Sequence, residues 1–95
     1  MNAIVVARIL VTDPEKMKAY GVAAAPTIAD HGGTFLVRGK HVAALLGNDR
    51  PHVVAIIQFP STEAAQGWFG SPEYQALQGQ RDAAAEMQFT LYEVA

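Results

Sequence analysis

Cysteine is absent from this 95-residue chain. That excludes a disulfide framework, a thiolate nucleophile and any cysteine-based zinc or iron–sulfur site. Charge of one sign is also scarce, because seven Lys and Arg stand against nine Asp and Glu for a net charge of -2. With no basic excess to hold a phosphate backbone or an anionic bilayer, neither nucleic acid nor membrane is an expected partner. Stretches such as residues 3–7, AIVVA, fall far short of the roughly 20 residues a membrane span needs. The opening MNAIVV has no positively charged n-region of a signal peptide, so the expected location is the cytoplasm. Phosphate-cradling glycine motifs and HxH or HExxH spacings are missing as well, so no cofactor and no metal are expected. What remains is 51% hydrophobic, suited to one domain over residues 1–95.

Residues 3–11, AIVVARILV, are apolar on both alternating faces apart from Arg8, the pattern of a central strand. Thr12-Asp13-Pro14-Glu15 supplies an N-cap, a proline for the first turn and a Glu able to close a capping box with Thr12. The helix it opens carries Met17, Tyr20, Ala24 and Ile28 on one stripe and ends at His31-Gly32-Gly33. Pro26 lies inside it and predicts a kink or a break near Ala25. Residues 34–38 read as a second strand, with Gly39 permitting a bulge before the ribbon resumes over residues 42–46 and turns at 47–51. Residues 53–59, VVAIIQF, are again apolar on both faces. Ser61 caps a short helix that Gly70 ends, Ser71-Pro72 starts another running to about Ala85, and residues 87–94 form the last strand.

The order β-α-β-β-α-β predicts an α+β, ferredoxin-like chain: a four-stranded antiparallel sheet with helices on one face. The two most apolar strands belong in its centre. Two helices cover only one sheet face, so the other is left as a large apolar patch, and a homodimer through that open face is expected.

Tyr20, Pro26, Gly32-Gly33, Phe35-Leu36-Val37-Arg38-Gly39, Phe59-Pro60-Ser61, Ser71-Pro72-Glu73-Tyr74-Gln75 and Arg81, taken in order, resemble the DUF1330 family. The resemblance spans nearly the whole chain and implies a subunit of the dimeric α/β barrel superfamily, which includes cofactor-free monooxygenases, muconolactone isomerase-like enzymes, polyketide cyclases and heme-linked proteins. Lys40, Leu46 and Gln58 stand where the family often has the last glycine of RGG and two glutamates. A mechanism through either carboxylate therefore does not carry over.

Arg38, flanked by apolar strand residues, offers a fork of donors to a carboxylate or an enolate-like oxygen; the alternative is an ion pair or snorkelling to solvent. Tyr20 and Tyr74 lie on helical segments over the covered face, each able to donate to a bound carbonyl or to pack as core with a bonded hydroxyl. His31 is explained by a helix C-terminus. His41 and His52 flank the hairpin turn near Asp49, and His41 is the candidate base. The expected catalytic set is thus Arg38, Tyr20 and His41, and the expected ligand-binding set is Tyr20, Arg38 and Tyr74. The function this implies is binding of a small apolar metabolite bearing a carboxylate or carbonyl, with cofactor-free isomerase- or monooxygenase-like chemistry as its extension. A non-catalytic binding or assembly module is the alternative.

Overall fold

The computed structural model describes residues 2–94; Met1 and Ala95, the ends of the expected 1–95 span, lie outside the described residues. Its elements are β1 (Ala3–Val11), α1 (Pro14–Asp30), β2 (Thr34–Lys40), β3 (Val53–Phe59), α2 (Thr62–Phe69), α3 (Pro72–Gln75), α4 (Gln78–Ala84) and β4 (Ala85–Glu93). The strands form one antiparallel sheet in the order β2-β3-β1-β4, so the two strands apolar on both faces are central. Side-chain alternation then sorts the faces. Ala3, Val5, Ala7 and Ile9 of β1 and Ala55, Ile57 and Phe59 of β3 are buried beneath the helices. Ile4, Val6, Leu10, Val54 and Ile56 point the other way and are only half-buried. All helices lie over one face, which is the ferredoxin-like arrangement the element order implies.

Local chemistry accounts for the helix ends. Ser61 and Ser71 are N-caps, accepting from the backbone N–H groups of Ala64 and Tyr74. At the start of α1 the cap is Asp13 rather than Thr12, its side chain accepting from Lys16 N at 3.1 Å. Thr12 and Asp13 both donate their N–H groups to the Ala84 carbonyl, which holds the chain extended one residue further and removes the expected capping box. Helix α1 runs unbroken across Pro26. The carbonyl deprived of a partner belongs to Val22, which is 71% exposed, so water can take the missing bond. At the other end Gly32 adopts φ +78, and a Cβ on Gly33 would lie 2.5 Å from Ile28 Cγ2 and 2.8 Å from Phe59 Cε1. The paired glycines let α1 close down onto β3.

Three further expectations change. The second strand continues through Gly39 to Lys40, and its irregularity falls between Phe35 and Val37, with Leu36 as the extra residue. The ribbon does not resume over residues 42–46. Pairing ends at Lys40 and Val53, and beyond it His41 N–H reaches the His52 carbonyl while His52 N–H turns instead to Ile9. The helix expected from Ser71 to about Ala85 is divided at Ala76-Leu77, where Leu77 N–H closes a tight turn on the Tyr74 carbonyl.

Candidate functional site

The strand register writes the site directly. Arg38 on β2 is opposite Ala55 on β3, Ala55 opposite Ala7 on β1, and Ala7 opposite Phe89 on β4. One row across the helix-covered face is therefore large, small, small, large. Above the two alanines α1 presents Gly21 and Ala24, small again, and a cavity of about 200 Å³ remains between sheet and helix. The rows on either side are filled, by Val5 with Ile57 and by Ile9 with Val53, so the void is bounded along the strands.

Its lining is apolar apart from Tyr20, Arg38 and Trp68. The Trp68 indole already donates to Thr27 Oγ1 at 3.1 Å, and Thr27 Oγ1 donates to the Ala24 carbonyl at 2.7 Å. Arg38 lies over the Phe35 ring at 4.7 Å and forms no ion pair among the described residues. Tyr20 is 6% exposed, and its hydroxyl lies 2.6 Å from that of Tyr74, which is fully buried. Arg81 Nη1 donates to the Tyr74 oxygen at 3.4 Å, and its Nε donates to Asp82. Burial, then the bond to Tyr74, pushes the Tyr20 phenol well above the usual tyrosine range, so it keeps its proton. Burial works against the Arg81 charge, but its bonds to Tyr74 and Asp82 outweigh that and raise its pKa.

The structure thus brings Tyr20 and Arg38 to one cavity and sets Tyr74 behind Tyr20 as its hydrogen-bond partner. His41 is exposed and is not part of the lining. His52 Nδ1 accepts from Val11 N–H at 3.2 Å, Asp49 pairs with Arg8, and His31 Nδ1 donates to the Thr27 carbonyl at 2.9 Å. Two contributors were not among the expected site residues, although Arg81 belongs to the set that carries the family resemblance. Arg81 enters through the fold of α4 onto Tyr74, and the alanines matter only through their register; Ala7 and Ala55 each sit within an apolar run, which gave the one available hint.

Topology and cavity together define an α+β protein of ferredoxin-like fold with a donor-lined apolar pocket under its first helix. The chain belongs to the family described as a domain of unknown function, DUF1330, whose model matches residues 2–95. Among solved structures it is similar to RPA0582, a protein of unknown function from Rhodopseudomonas palustris, at 19% identity and a TM-score of 0.85, over 99% of this chain and 82% of that one. It is also similar to SnoaB, a cofactor-independent oxygenase from Streptomyces nogalater, at 16% identity and a TM-score of 0.69, over 99% and 93% of the two chains. A dimeric ferredoxin-like protein of unknown function from Jannaschia sp. CCS1 matches at 14% identity and a TM-score of 0.71, over 99% of this chain and 100% of that one. No curated protein matches. None of the described helices is long and apolar enough to cross a membrane.

Proposed function

We propose that the chain binds a small, largely apolar metabolite carrying a carbonyl or carboxylate oxygen, in the cavity over Ala7 and Ala55. The observation that carries this reading is a surplus of donors. Arg38 has no carboxylate partner among the described residues, and the tyrosine pair holds two hydroxyl hydrogens but only one shared contact. Arg81 donates into the Tyr74 oxygen. If Tyr74 then donates to Tyr20, the Tyr20 hydrogen is the one left over, on the residue that lines the cavity. A ligand carbonyl or carboxylate would take the Tyr20 hydrogen inside the cavity, or replace water on Arg38, which is exposed at its rim. The volume is below the roughly 300–1,000 Å³ of drug-sized sites, which selects a small molecule.

As chemistry, such a site stabilises a developing oxyanion with Arg38 and supplies a proton or hydrogen bond from Tyr20. That a protein of similar fold is a cofactor-independent oxygenase supports a reaction run on side chains alone. The cavity lining holds no carboxylate or imidazole to act as base, and Tyr20 holds its proton. Binding is accordingly the primary reading and turnover the secondary one.

The assembly we propose is a homodimer through the open sheet face. Ile4, Val6, Leu10, Val54 and Ile56 form an apolar surface there, with Val37 50% exposed beside them, and face-to-face sheet packing about a two-fold axis buries it. The dimeric state of a similarly folded protein supports this. Thermal unfolding with benzoate, cyclohexanone and related small acids and ketones tests the cavity. A ligand at 100 times its Kd adds about 2.7 kcal/mol, and that gain disappears in Arg38→Ala and in Ala55→Leu, which fills the void. Stabilisation that survives Ala55→Leu, or no stabilisation by any of these compounds, overturns the reading.

A further inference from the structure

Residues 42–46, VAALL, are the most exposed hydrophobic segment described: Val42, Leu45 and Leu46 are 94%, 98% and 97% exposed. Leaving three large aliphatic side chains in water is costly unless something covers them. The segment is held at its root. His41 N–H bonds the His52 carbonyl at 2.9 Å, His52 Nδ1 accepts from Val11 N–H, and Asp49 pairs with Arg8. Arg8 lies between the buried Ala7 and Ile9 and so points to the open sheet face. Arg50 and Pro51 line a groove with Leu10, Glu86 and Gln88, which also belong to that face. The arm therefore leaves the molecule beside the open face, continuous with the surface assigned above to the dimer.

Area points to the same occupant. The chain exposes 6041 Å², whereas a compact monomer of this mass exposes about 5,300 Å². The surplus, on the order of 700 Å², is close to the roughly 800 Å² that each partner contributes to a standard interface. We propose that residues 42–46 are an apolar arm with which each chain grips a second copy of itself, Val42, Leu45 and Leu46 packing on the partner at the margin of the sheet-to-sheet contact. This inference rests on the open-face dimer and adds a second, separable contact to it. It also explains why a stretch with the composition of a strand stays unpaired among the described residues.

Sedimentation equilibrium of the full chain tests it. The variant Val42→Ser/Leu45→Ser/Leu46→Ser, whose changes lie in exposed positions, is expected to weaken the dimer by about a hundredfold or more while the circular dichroism spectrum is unchanged. Leu45→Cys, the only thiol in a cysteine-free chain, carries a bimane label whose emission is expected to shift blue as the protein is concentrated through its monomer–dimer transition. Ile56→Lys, or Val37→Lys where Ile56→Lys fails to fold, addresses the sheet face alone. If the sheet-face variant dissociates the dimer and the arm variant does not, the arm proposal falls and the dimer stands. A wild-type chain that is monomeric at tens of micromolar overturns both.

Discussion

The two ends of the helix-covered face are built from the same elements and end differently. Around Trp68 the rings themselves are closely packed, Trp68 against Tyr74 with ring centroids 4.4 Å apart, against Phe59 at 5.5 Å and against Phe89 at 6.0 Å, and an open apolar groove of about 410 Å³ lined by Val5, Ala65, Phe69 and Leu91 lies on the outer side of that cluster. Under α1, from Met17 to Ile28, the same sheet encloses a cavity that reaches Trp68 and Phe89 on its far side, because Ala7, Ala55, Gly21 and Ala24 face one another. The difference lies in residue volume at a few register positions. The packed rings hold the subunit together, and the emptier end leaves room for a ligand at the cost of lost packing contacts.

The largest expected effect breaks the packed rings. Trp68→Ala removes the centre of the aromatic cluster and is expected to cost about 3–5 kcal/mol in urea unfolding, whereas Ala55→Leu at the cavity end changes stability by about 1 kcal/mol or less, in either direction. Comparable losses in the two variants would mean that both ends are equally packed. Next comes Gly33→Ala, where the added methyl meets Ile28 and Phe59. A loss of about 1–3 kcal/mol is expected from overpacking, and an unchanged denaturation midpoint would show that α1 does not approach β3 so closely.

Alkaline pH sharpens the comparison at the boundary between the two ends, where Tyr20 meets Tyr74. The unfolded chain ionises Tyr20 near pH 10, while burial keeps the folded phenol neutral to a higher pH. Above pH 10 the unfolded state therefore binds fewer protons than the folded state. Stability falls as pH rises, with a slope of up to about 1.4 kcal/mol per pH unit from this group. Urea titrations between pH 9 and 11 are expected to show a shallower decline in Tyr20→Phe than in the wild type; parallel declines would place the phenol in water. The smallest effect belongs to Arg8→Ala. The Arg8–Asp49 pair is about half exposed on both sides, so no more than about 1 kcal/mol is expected, and less in high salt.

Much of this architecture was legible in the order of residues. Strands 3–11 and 53–59 announced themselves as central by being apolar on both faces, and Ser61, Ser71 and Gly32-Gly33 marked helix ends by chemistry that acts within a few residues. Two of the expectations that changed were set by neighbours far along the chain: Ala84 moved the cap from Thr12 to Asp13, and Ile9 drew His52 away from the ribbon. Tyr20, Tyr74 and Arg38 were visible as polar groups on apolar elements. Their relation was not, since Tyr20 and Tyr74 are 54 residues apart and meet only after two crossovers.

The sequence by itself determined the element types, the central strands and the apolar surplus, because periodicity and capping are local and the alternation of side chains follows from the backbone. Tertiary structure alone decided that Ala7, Ala55 and Ala24 enclose a void, that Arg81 stands behind the tyrosine pair, and that residues 42–46 pair with no strand among the described residues. Those are matters of register and packing, and register is fixed by the cooperation of whole strands rather than by any residue in them.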